Sequence, residues 1–102
     1  MNNGYNIEWS DQATLDFEEI VQFLFNAWGE TIVRRFVRSV DNELIRISTF
    51  PYAFPASSLK TGIRRCVVSK FNTIYYQVKD QTIYIVTIHD NRSNPELLKK
   101  KL

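Results

Sequence analysis

With 102 residues, the chain is long enough for one domain with its own core and too short for two. A hydrophobic share of 44% with 14% aromatics excludes intrinsic disorder, and the single cysteine, Cys66, excludes a fold stapled by internal disulfides. The net charge of +2 is small and unevenly spread: acids (Asp11, Asp16, Glu18, Glu19, Glu30) dominate the first half, and Lys60, Arg64, Arg65, Lys70 and Lys99 to Lys101 the second. That asymmetry suits an anionic partner, although an ordinary solvated surface is the simpler explanation. Met1 to Gly4 carries no basic-then-apolar leader, and no apolar run approaches the ~20 residues that span a bilayer. A cytoplasmic location, with no membrane contact, is the expectation.

Tyr5 to Trp9 alternates as a first strand, and Ser10 or Asp11 offers a helix N-cap. Ala13, Phe17, Ile20, Val21, Leu24 and Trp28 then fall on one helical face, with Asp11 and Asp16 near the positive end of the macrodipole. Gly29 suits a left-handed helix end. Val33, Phe36, Val37, Val40, Leu44 and Ile47 repeat the period in a second helix that starts near Glu30, so the two helices fold back as an antiparallel hairpin. Phe50 to Thr61, with two prolines, is a loop. Gly62 to Ser69, Phe71 to Val78 and Thr82 to His89 are strand-like, the last two joined by a tight turn at Lys79-Asp80-Gln81. Pro95 opens a short terminal helix. The order β-α-α-β-β-β predicts an α+β fold, an antiparallel sheet with the helical hairpin on one face. Residues 1–102 are expected to form one domain.

The sequence holds no phosphate-cradling glycine loop, nucleophile elbow or metal-spaced Cys/His pair, so neither metal nor cofactor is expected. His89 is a possible general base, but a local structural role is the simpler reading. Cys66 reads as a small core residue, and Trp9 and Trp28 as packing residues. Arg64 and Arg65, adjacent in a strand, must point to opposite faces. With Lys70 on the side of Arg64, and Arg92 after the last strand, they are candidates for holding phosphates.

The chain as a whole resembles the RelE/ParE toxin superfamily. The resemblance rests on Trp28-Gly29 with Val33-Arg34-Arg35-Phe36, on Phe50-Pro51, on Gly62-Ile63-Arg64-Arg65, on Ile74-Tyr75-Tyr76-Gln77-Val78, and on Ile85 to His89 with Arg92. It implies a toxin neutralised by a cognate, acidic antitoxin that wraps an extended or helical segment around it. It also implies one of two targets, DNA gyrase for the ParE-like branch or ribosome-bound mRNA for the RelE-like nucleases. The nuclease pattern puts an arginine where this chain has Thr73 and a tyrosine where it has Lys99, and Arg92 falls beside the expected arginine. The lean is therefore to a non-catalytic, ParE-like gyrase inhibitor, with the ribosome-dependent endoribonuclease as the alternative. A degenerate member that only binds its partner is the third possibility. For a nuclease the catalytic candidates are Arg64, Arg65, Lys70, His89 and Arg92. For a binding toxin the target-contact candidates are Arg64, Arg92, Lys99, Lys100 and Lys101. Phe23, Phe25 and Ile32, off the core stripes of their helices, are the antitoxin-contact candidates.

Overall fold

The computed structural model describes residues 4–102, so most of Met1 to Gly4, on which the expectation of no leader rests, lies outside the described residues. The elements run β1 (Asn6–Trp9), α1 (Asp11–Trp28), α2 (Glu30–Thr49), β2 (Ile63–Val67), β3 (Asn72–Lys79), β4 (Thr82–Asp90) and α3 (Pro95–Lys101). The sheet order is β1-β4-β3-β2. Strands β2, β3 and β4 are antiparallel as expected, but β1 joins β4 in parallel, with Ile7 beside Ile83 and Trp9 beside Ile85. The sheet is therefore mixed. The reason is topological: the helical hairpin intervenes between β1 and the later strands, a connection long enough to permit a parallel neighbour.

Ser10 caps α1, its hydroxyl oxygen accepting from the Ala13 N–H at 2.9 Å while donating to the Val86 carbonyl at 2.7 Å. Gly29 alone separates the helices. Its N–H donates to the Phe25 carbonyl at 2.9 Å and its carbonyl accepts from Val33. At φ 88°, ψ −175° it is not the left-handed helical residue the sequence suggests. It occupies an extended region open essentially only to glycine.

Ala13, Phe36, Val40 and Ile47 from the helices meet Cys66, Ile74, Tyr76, Ile83, Ile85 and Ile88 from the sheet to form the main core. Tyr5, Ile7, Trp9, Phe17, Ile20 and Leu24 pack around it. Trp28 breaks the expected stripe: at 68% exposure it is no packing residue, and the core stops before the last turn of α1. On the second sheet face a smaller cluster joins Ile63, Tyr75 and Leu98, with Val86 and Leu102 alongside, and so docks α3. No helix among the described residues is long and apolar enough to cross a membrane.

Strand β4 outruns β1 by five residues, from Val86 to Asp90, and α1 closes the start of that open edge. Asp16, 6% exposed, accepts from the Thr87 hydroxyl and, at 3.2 Å, from the Ile88 N–H. Its other oxygen accepts from Gln12 at 2.8 Å and from the Lys101 ammonium at 3.1 Å. Asp16 is thus a strand-edge cap rather than a charge placed for the helix dipole. The sequence did carry a sign of this, because Asp16 falls within the apolar stripe between Ala13 and Ile20.

Candidate functional site

Where the helices extend past the core, a groove of about 700 Å³ opens between them and one end of the sheet. Phe23, Leu24 and Trp28 of α1 and Ile32 and Phe36 of α2 give it an apolar wall. Val68, Asn72, Ile88 and His89 line the sheet side, and Phe71, Asp90 and Arg92 line its rim. Phe23 is 55% exposed, an unusual state for a side chain of its size. Two of the three expected antitoxin contacts, Phe23 and Ile32, therefore meet in this groove. Phe25 is equally exposed but is not among the residues that line it.

The rim is held by two turns bolted together. The Asn91 amide nitrogen donates to the carbonyls of Ser69 and Lys70, and its amide oxygen accepts from the Thr73 hydroxyl at 2.8 Å. This brings Lys70 and Arg92 over the same ring, Phe71, at 5.1 and 5.2 Å. Arg92 also spreads its fork on Asp90, with both nitrogens at 3.1 Å. Those hydrogen bonds hold the Asp90 carboxyl below its usual range and the Arg92 guanidinium above its own. Asn91 and Phe71, which build this corner, carry no signal in a single sequence.

His89 is buried in the groove floor. Burial, and next the nearby Lys101 ammonium, pull its pKa below 6.5, so the imidazole is neutral near pH 7. Asp90 and Asp16 oppose that shift only in part.

Arg64, Arg65, Lys99 and Lys100 do not line the groove. Arg64 lies at the other end of β2 from the groove and turns to the helix side, where its NH1 donates to the Phe54 carbonyl at 2.7 Å. Arg65 faces the opposite side of the sheet, beside Tyr75, as the alternation requires. Lys70 lies beyond the end of β2, so it does not share a strand face with Arg64. Lys99 pairs with Glu96 at 3.6 Å, Lys100 is exposed, and Lys101 turns inward to Asp16. Thr73, where the nuclease pattern has an arginine, is buried and spends its hydroxyl on Asn91. Cys66 is a core residue as read, its thiol pushed up to about 12 by burial and by the Glu43 carboxylate.

One strand, a helical hairpin, three further strands and a docking helix, with all four strands in one mixed sheet: this α+β arrangement is similar to that of small ParE toxins. The profile of the ParE toxin of the type II toxin–antitoxin system parDE matches residues 7–95, and the chain belongs to that family. Its structure is similar to one from the chromosomal ParDE toxin–antitoxin system of P. aeruginosa. The TM-score is 0.74 at 15% identity, over 87% of this chain and 98% of that one. A copper-bound mutant toxin from Helicobacter pylori is similar at TM-score 0.56 and 17% identity, over 85% of this chain and 94% of that one. No curated protein matches the sequence significantly.

Proposed function

We propose that this ParE-family chain arrests growth by binding and inhibiting DNA gyrase without catalysis, and that a cognate acidic antitoxin neutralises it from the groove. The observation that carries the non-catalytic reading is that Arg64 and Arg65 stand away from the groove, while Arg92 and Lys101, which line it with His89, are paired with Asp90 and Asp16. Metal-free cleavage of RNA needs a proton acceptor, a proton donor and phosphate-binding cations around one atom. Here Arg64 anchors a loop, Arg65 faces away, Arg92 is engaged by Asp90, and Thr73 is engaged by Asn91. The groove supports the antitoxin reading. Its exposed Phe23 and Trp28 call for an apolar helix or strand, and Arg35, on the same wall and without an ion pair among the described residues, favours an acidic one.

One observation favours the alternative, a ribosome-dependent endoribonuclease: the neutral His89 imidazole shares the groove with Arg92 and Lys101. Two assays separate the readings. The gyrase reading expects inhibited supercoiling by purified gyrase and uncut mRNA in primer extension on translating ribosomes. Cleavage at ribosomal A-site codons that is abolished by His89→Gln or Arg92→Ala would establish the alternative. For the antitoxin, Phe23→Glu is expected to weaken complex formation while Phe25→Glu leaves it near wild type. Equal affinity of the Phe23→Glu variant would place the antitoxin elsewhere.

A further inference from the structure

The apolar surface outside the groove has a second concentration. Phe50, which ends α2, is 65% exposed, and Tyr52, two residues on, is 60% exposed. Both belong to a turn closed by the Ala53 N–H donating to the Phe50 carbonyl at 3.1 Å. Large rings in a mobile loop have little meaning, but this loop is fixed from several directions. The buried Tyr76 hydroxyl donates to the Pro51 carbonyl at 2.6 Å. The Arg65 N–H donates to the Pro55 carbonyl at 3.0 Å, and Ala56 bridges to Arg64. Arg64 donates to the carbonyls of Phe54 and Tyr52 and stacks on the Tyr52 ring at 5.1 Å. Nothing in the groove or in the core needs the Phe50 and Tyr52 rings to be held outward in this way.

The electrostatics of the turn are as informative as its shape. Arg46, stacked on Phe54, is balanced by Glu43 at 2.7 Å. Arg64 makes no ion pair among the described residues, so its charge rests on carbonyl dipoles and a ring alone. A rigid Tyr–Arg pair flanked by an apolar ring has the composition of a protein–protein hot spot, pre-organised and short of one counter-charge. A nucleic-acid track would need a row of cations to follow successive phosphates, whereas residues 50–55 of the turn hold none and the one cation stacked on its Tyr52 ring is Arg64.

We propose that the Phe50–Pro55 turn, with Tyr52 stacked on Arg64, is a docking surface for an acidic patch on the toxin's protein target. It stands apart from the groove: Arg64 and the groove residue Val68 are four positions apart, along β2 and the first residue beyond it, or about 13 Å at the usual strand rise. The inference rests on the toxin reading above and adds to it a division of labour, with the antitoxin at one end of the sheet and the target at the other.

The test compares wild type, Phe50→Ala/Tyr52→Ala and, as a control at an exposed ring outside both the groove and the turn, Phe25→Glu, each expressed alone in cells, with melting curves of the purified proteins confirming that all are folded. Because the two rings are exposed, the double variant is expected to melt as wild type does. The expected result is that wild type and Phe25→Glu arrest growth and the double variant does not. With purified gyrase as the probe, the half-inhibitory concentration of the double variant should rise by about 30-fold, the scale of a hot-spot loss. Growth arrest by the double variant equal to wild type overturns the docking surface and leaves the toxin reading standing. Failure of wild type itself to arrest growth removes the toxin reading and this proposal with it. Binding of a single-stranded oligonucleotide by wild type that the double variant loses overturns the acidic-protein assignment.

Discussion

Replacing Asp16 by alanine should be the most damaging single polar change in the protein. The carboxylate is buried and holds four donors: the Thr87 hydroxyl, the Ile88 N–H, the Gln12 amide and the Lys101 ammonium. Alanine leaves a fully buried Thr87 hydroxyl and a strand N–H unbonded, and it strands Lys101, which is 30% exposed on its side chain. A hydrogen bond to a charged group contributes about 1.5–3 kcal/mol, and removing one partner of a buried ion pair costs about 3–5 kcal/mol. These terms overlap, so the expected loss is about 4 kcal/mol, a large part of the ~5–15 kcal/mol that stabilises a domain of this size. Asp16→Asn keeps an acceptor for Ile88 and should lose about half as much. Urea unfolding followed by circular dichroism measures both. An Asp16→Ala variant within about 1 kcal/mol of wild type would refute the account of Asp16 as the cap of the β4 edge.

Other expectations rest on single contacts. His89 has a folded-state pKa below its ordinary 6.5, so the unfolded chain binds the proton more readily. Its contribution to stability is therefore complete above pH 6.5 and declines as pH falls from there towards the folded value, and His89→Gln should flatten that part of a plot of Tm against pH. Tyr76→Phe removes the hydroxyl that holds Pro51 and should cost about 1 kcal/mol in urea unfolding, with faster hydrogen exchange in the Phe50–Pro55 turn. Gly29→Ala meets no steric neighbour within 4 Å but must adopt φ 88°, so a loss of about 1–3 kcal/mol is expected from backbone strain alone. An unchanged Tm for that variant would mean that the helix junction relaxes.

Much of this architecture was legible because periodicity reports burial directly. The stripes Phe17-Ile20-Leu24 and Phe36-Val40-Ile47 exist because those residues face the sheet, and a lone glycine between them leaves a hairpin as the only arrangement. The partner of β1 was not legible, since alternation at Ile7 and Trp9 fixes a face and not a neighbour. Trp28 reads as core by spacing, but spacing does not say where the sheet beneath a helix ends. The site divides in the same way. Phe23 and Ile32 were legible as apolar residues off their stripes. The joining of Lys70 to Arg92 through Phe71 depends on how Asn91 ties two turns far apart in sequence. Arg64 looked like a phosphate ligand because the carbonyls it satisfies belong to a loop whose path the sequence does not give.

The one-residue junction at Gly29 also limits how the chain can change in length. Each residue added to a helix rotates the rest of that helix by about 100°. An insertion after Gly29 would swing Phe36, Val40 and Ile47 off the sheet unless the extra residue were extruded as a bulge. The turn from Ser58 to Thr61 is exposed throughout and carries no such phase relationship. Insertions and deletions among relatives of this fold should accumulate there, and the helix junction should keep its length even where its sequence drifts.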